Sequence, residues 1–418
     1  MHWLTPLFVA ALFAATATRI WLATRQIAAV RAHRERVPEY FGGQIALEDQ
    51  QKAADYTAAR ASFMRVAAVV DALLRLALTL GGGLALADSL WLHSGLAQPW
   101  RGALVTATVV LAWFLVGLPL AAWRMFVLEA RFGFNRATPA LFAADAARRL
   151  LLGAALGAPA VLAALWLMER GGRGWWLVAW LAWTAYSLAL TWAIPSVVAP
   201  LFNRFAPVPE GELKQRVEAL VARCGFESRG VFVMDGSRRS AHGNAYFTGL
   251  GRNKRIVFLD TLLDRLGGAE VEAVLAHELG HFRLKHVRQR FVLSLVVSLG
   301  ALAAFAWAAR EPGLYAALGV PVASPHAALL LAVFVTPPFW FFVTPLRAWW
   351  SRRHEFQADD FAVQHADARA LADALVKLYR ANAATLTPDR VHSAFYDTHP
   401  PPTARIARLA LARERSAA

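Results

Sequence analysis

In the run AHELGHFRLKHVRQRFVLSLVVSLGALAAFAWAA, from Ala276 to Ala309, two patterns of different physical meaning meet end to end. The first holds His277 and His281, four apart, with Glu278 beside the first of them. On a helix, positions four apart share a face, so both imidazoles can reach one metal ion. The second pattern, Phe291 to Ala309, has no charged residue and is long enough to cross a hydrocarbon core of about 30 Å as a helix. An aqueous helix with metal-ligand spacing therefore runs directly into a membrane span.

Six further stretches have the apolar character of spans: Leu4 to Ala23, Val66 to Leu90, Ala103 to Trp123, Leu150 to Met168, Trp175 to Ile194 and Ala327 to Val343. Of the 418 residues 57% are hydrophobic and 17% charged, against about 25% charged in soluble domains. The expected fold class is an α-helical polytopic membrane protein with about seven transmembrane helices. Trp91, Trp175, Trp176, Trp349 and Trp350 stand at span ends, where aromatic belts form. The net charge of +15 reads as positive flanks on membrane helices, so a lipid bilayer and no nucleic acid is expected as partner. The single cysteine, Cys224, excludes an internal disulfide and a cysteine-held metal.

Basic residues follow the first span, at Arg25, Arg31, Arg34 and Arg36, and none precedes it. That order is the reverse of a signal peptide. The loop after the third span is equally basic, with Arg124, Arg131, Arg136, Arg148 and Arg149, while the alternate loops are short and poor in charge. The positive-inside rule then puts the N-terminus outside and the C-terminus and the active-site segments in the cytoplasm, and the high alanine and arginine content, without extended low-complexity tails, points to a bacterial cell membrane. The chain divides into residues 1–194 (five spans with their loops), 195–290 (a catalytic segment), 291–346 (two spans) and 347–418 (cytoplasmic helices). Within the second span Asp71 and Arg75 are four apart and can pair. They either face a water-filled cavity or precede a span that begins later.

In the aqueous segment, Leu213, Val217, Leu220 and Val221 have helical spacing. Val231 to Met234, Asn244 to Thr248 and Ile256 to Leu259 read as three short strands, and Glu270 to His286 as a helix. The tail predicts helices over Ser351 to His365, Leu371 to Leu378, and from Thr403 onward, with Pro400 to Pro402 as a break.

A catalytic zinc site needs a third protein ligand and an open position. Glu355 and Asp359 lie four apart in the tail, so one can ligate while the other orients a histidine ring. Glu278 is the candidate general base. His286 falls off the face of a helix continued from His281, and His354 neighbours Glu355 but points elsewhere; both are set aside.

These motifs, in this order, resemble the type 1 CAAX prenyl proteases, integral-membrane zinc metallopeptidases with seven transmembrane helices around a chamber. The resemblance covers nearly the whole chain. It is carried by FVLEARFGFNRAT (Phe126 to Thr138), APLFNRF (Ala199 to Phe205), DGSRRSAHGNAYFTG (Asp235 to Gly249), KRIVFLDTLL (Lys254 to Leu263), the His277–His281 motif, EFQAD (Glu355 to Asp359) and HPP (His399 to Pro401). It implies one zinc ion per chain held by His277, His281 and Glu355, with Glu278 as base and Asp359 behind a ligand. It implies that His399 and Arg405 face the developing oxyanion or the substrate backbone, and that Asn244 belongs to an edge strand that receives the peptide by strand addition. The expected substrate is a peptide or protein, lipidated or bare, and membrane quality control is the alternative to prenyl-protein processing. A transporter or receptor, or an inactive lipopeptide-binding relative, would need the metal constellation to be coincidence or idle.

Overall fold

The computed structural model describes residues 2–226, 230–243, 245–248 and 255–417. Among these, six helices are long and apolar enough to cross a membrane, or seven when a bent pair counts as one span. The bent pair is the expected second span. Helix Leu47–Leu78 ends, and Gly83–Leu90 resumes at 55° to it. Gly82 lies between them with φ +79°, and a Cβ on Gly81 would stand 2.7 Å from the Ala77 carbonyl oxygen. Only glycine fits there without strain, so the break is written locally. Helix Leu4–Ala32 lies along Leu47–Leu78, joined through Ala23, Ile27, Val30, Ala54, Ala58 and Ala61. Small side chains let two such backbones approach closely. Asp71 and Arg75 do pair, at 2.9 and 3.0 Å, and Arg19 of the first helix joins them at 3.3 Å.

The two spans nearest the site extend beyond the membrane. The helical run Pro325–His365 has 41 residues, about 60 Å at 1.5 Å per residue, or twice the hydrocarbon thickness. Its C-terminal half, helix Thr344–His365, therefore stands in the aqueous portion with Glu355 and Asp359 on it. Likewise the motif helix Gly268–Arg283 leads into the span His286–Ala308. Lys285 separates the two with φ +60°.

The sheet has four strands, β1 (Phe205–Pro207), β2 (Val231–Met234), β3 (Ala245–Thr248) and β4 (Arg255–Leu259), in the order β1-β2-β4-β3. β2 and β4 are parallel, and the two outer pairs are antiparallel. Sequence reading gave three strands. It missed β1, whose three residues end in a proline and show no alternation. It also missed the short tail helix Arg390–Tyr396, which precedes His399. The aqueous core packs Val217 and Leu220, Ile256 and Phe258 of β4, Leu275 and Leu279 of the motif helix, and Leu371 and Leu375 of helix Ala368–Ala381.

Candidate active site

The motif helix begins where the Gly267 amide donates to Glu270 Oε2 at 2.7 Å, which satisfies one free N–H of the first turn. It buries Val271, Val274, Leu275 and Leu279 on one side. Gly280, inside the motif, sits against helix Thr344–His365. A Cβ there would lie 3.1 Å from Ala358 Cα and 3.1 Å from Phe361 Cβ. The missing side chain lets the two helices approach until Glu355 reaches the histidines.

His277 Nε2 lies 3.4 Å from Glu355 Oε2, and His281 Nε2 lies 3.4 Å from Glu355 Oε1. One ligand atom from each of the three residues falls within 4.8 Å of the others. Tetrahedral ligands about 2.0–2.1 Å from a zinc ion stand about 3.4 Å apart, so the spacing fits a shared ion. Glu355 Oε2 is buried without a hydrogen-bond partner. A buried, unpaired carboxylate oxygen is costly, and a cation would satisfy it. His399, from the segment after helix Arg390–Tyr396, brings its Nε2 to 3.4 Å from the same oxygen while its ring stays largely exposed. Glu278 is half-buried. Burial pushes its carboxyl above the usual range, with the neighbouring imidazoles opposing. Among the described residues it has no hydrogen-bond or ion-pair partner, which leaves its oxygens free for a proton.

The outer nitrogen of each histidine is held differently. His277 Nδ1 lies 2.9 Å from Asp359 Oδ1. Asp359 in turn accepts from Arg405 Nε at 2.7 Å and Nη2 at 2.6 Å. Burial and the Arg405 charge act to lower the His277 pKa. The hydrogen bond with Asp359 and the nearby Glu355 carboxylate outweigh them and push it up to about 9, so the pocket favours positive charge at that ring. Arg405, which the resemblance implies faces the developing oxyanion or the substrate backbone, is placed by the structure against Asp359 and His277. Its guanidinium is buried, 5% exposed, behind His277 and committed to Asp359.

His286 and His354 were set aside and belong here after all. His281 Nδ1 lies 3.0 Å from His286 Nδ1, and His286 Nε2 lies 3.0 Å from Gln357 Oε1. His354 stacks on His286, with ring centroids 3.9 Å apart and planes within 5°. Its Nε2 meets Gln289 Oε1 at 3.1 Å. Asn244 lies outside the described residues. The strand that follows it, β3, forms the sheet edge and packs against the motif helix.

A multi-pass membrane protein whose helices bring a metal-ligand triad together beside an unpaired carboxylate has the parts of a membrane metallopeptidase. The comparisons with known proteins agree with it. Residues 26–204 match the CAAX prenyl protease N-terminal family of five membrane helices, and residues 207–412 match peptidase family M48. A CAAX prenyl protease 1 homolog of Arabidopsis thaliana is 31% identical over 397 residues, covering 92% of each chain. CAAX prenyl protease 1 of Saccharomyces cerevisiae is 33% identical over 321 residues, covering 72% of this chain and 70% of that one. The crystal structure of S. mikatae Ste24p superposes with a TM-score of 0.89 at 26% identity, covering 98% of this chain and 99% of that chain. The chain belongs to peptidase family M48.

Proposed function

We propose that the protein is a zinc endopeptidase that cleaves near the C-terminus of CAAX-type proteins at the cytoplasmic side of a bacterial cell membrane, with the N-terminus outside. The orphaned Glu355 Oε2, set among His277, His281 and His399, carries the metal part of this reading. The names of the relatives carry the substrate part, and the basic loops after the first and third spans carry the orientation.

A zinc ion held by His277, His281 and Glu355 would supply the Lewis acidity that makes water a competent nucleophile near neutral pH. The work of the chain's own residues follows from their places. A peptide lying extended along the β3 edge is held by backbone hydrogen bonds. Glu278 takes a proton from the attacking water as its oxygen bonds the scissile carbonyl carbon. His399 donates to the carbonyl oxygen as negative charge grows there. Glu278 then gives the proton to the amine as the C–N bond breaks. The raised Glu278 pKa suits a group that both accepts and returns a proton. Asp359 fixes the His277 ring so that Nε2 points into the pocket.

The test is cleavage of one CAAX-type peptide, farnesylated and bare, by detergent-purified protein. Glu278→Gln should keep the metal and the fold and lower kcat by about a thousandfold. Wild-type turnover by that variant would end the mechanism. Cleavage of the farnesylated peptide alone supports prenyl-protein processing; equal cleavage of both would mean a general membrane endopeptidase.

A further inference from the structure

The three residues that lead toward β3 have a partner at every backbone polar atom. Ala241 N donates to the Phe134 carbonyl at 3.1 Å, and Ala241 O accepts from Arg265 Nη2 at 2.9 Å. His242 N donates to Ser240 Oγ at 3.2 Å, and His242 O accepts from Thr261 Oγ1 at 2.9 Å. Gly243 N donates to Asn382 Oδ1 at 3.0 Å, and Gly243 O accepts from Asn382 Nδ2 at 3.2 Å. Asn382 thus pairs with Gly243 through both atoms of its amide, as a neighbouring strand would.

The His242 side chain closes the same clasp. Its ring stacks on Phe134 at 4.3 Å, and its Nδ1 lies 3.3 Å from Asn382 Oδ1. Its Nε2 faces Tyr56 Oη at 3.5 Å and Glu129 Oε2 at 3.7 Å, and Tyr56 donates to Glu129 at 2.7 Å. These partners come from distant parts of the chain. Tyr56 is on helix Leu47–Leu78, and Glu129 ends the π-helical turn Arg124–Glu129 after the third span. Asn382 caps helix Ala368–Ala381. A bridge from Asn135 to Ser240 and the paired contacts of Arg239 with Asp145, at 2.7 and 3.0 Å, add to the hold. The stretch from Phe126 to Thr138, which had no role at the metal, has one here.

Among the described residues β3 has four residues and one neighbour, β4. A strand that receives a peptide on its free edge sets the register of that peptide only if it is itself fixed, because a one-residue slip turns every side chain to the other face. We infer that Asn382 is a positioning residue for substrate: with His242 seated on Phe134, it fixes where β3 offers its edge to the peptide. The inference rests on the strand-addition reading above.

Steady-state kinetics on the purified full chain test it. Asn382→Ala should raise KM about tenfold, the worth of one to two lost hydrogen bonds, with kcat and zinc stoichiometry within twofold of wild type. Asn382→Asp keeps the acceptor for Gly243 N and loses the donor to Gly243 O. It should fall between the two, and it serves as the test if the alanine variant does not fold. A fall in kcat at unchanged KM, or an unchanged KM in both variants, would overturn the proposal. A peptide N-methylated at the backbone on either side of the scissile bond separates the two readings. If the wild-type enzyme cleaves it like the parent, strand addition itself fails. If methylation blocks cleavage yet Asn382→Ala leaves KM unchanged, only the role of Asn382 fails.

Discussion

His277 and His281 leave the same helix, one turn apart, and present the same nitrogen to the same carboxylate, yet they are held from behind by opposite means. Behind His277 stands a charged pair, Asp359 with Arg405, both almost fully buried. Behind His281 stands a neutral relay. With Nε2 turned to Glu355, the His281 Nδ1–H donates to His286 Nδ1, and the His286 Nε2–H donates to Gln357 Oε1. The hydrogen positions follow from the acceptors present. A carboxylate behind a ligand raises its basicity and fixes its ring, while a neutral acceptor fixes the ring and adds little charge. One arm therefore adds electrostatic pull on a cation, at the risk of burying ions. The other adds orientation alone.

The comparison breaks most visibly at Asp359. Asp359→Ala leaves the Arg405 guanidinium buried without its partner, a change that costs about 3–5 kcal/mol. A lower midpoint of thermal unfolding and loss of bound zinc are expected together. Asp359→Leu with Arg405→Met removes both charges and should recover much of the stability while zinc affinity stays low. If the double variant binds zinc as wild type does, the charged arm contributes nothing to the metal.

At His286 the prediction differs in kind. His286→Leu removes the acceptor for His281 without stranding a charge. Zinc affinity, read by competition with a chelator, should fall about 10–100-fold, and the unfolding midpoint of the metal-free protein should move far less than in Asp359→Ala. Equal destabilisation by the two variants would show that the arms do not differ in the way argued.

The sequence made one arm legible and hid the other, for a physical reason. The spacings His277–His281 and Glu355–Asp359 are each one helical turn, and a continuous helix delivers them as read. His286 was rejected by the same rule, since five residues on from His281 is well off its face. The rule failed because the helix does not continue. It ends at Arg283, Lys285 takes a left-handed conformation, and a new helix starting at His286 brings that ring back beside His281. A lysine gives little warning of such a turn, whereas the three glycines that break the second span announce theirs. The roles of Arg405 and Asn382 are tertiary: their partners lie 46 and 139 residues away, and no local pattern encodes them. Gly280 could be read as part of the motif but not as the contact that sets the spacing of two helices.

The smallest effect, and the one that sharpens the contrast most, belongs to Gln357. Its side chain is exposed to solvent at the end of the relay, so water can replace part of what it provides. Gln357→Leu should weaken zinc binding by only about threefold, because His286 keeps its place through the stack with His354 and loses only the acceptor that selects its tautomer. Gln357→Glu is the informative partner. A carboxylate there would accept from His286 Nε2–H and pass negative charge toward His281, turning the neutral arm into a distant copy of the charged one. Zinc affinity should then rise above that of Gln357→Leu and reach or exceed that of the wild type. If the leucine and glutamate variants bind zinc equally, charge at the far end of the relay is not felt at the metal, and His286 acts by shape alone.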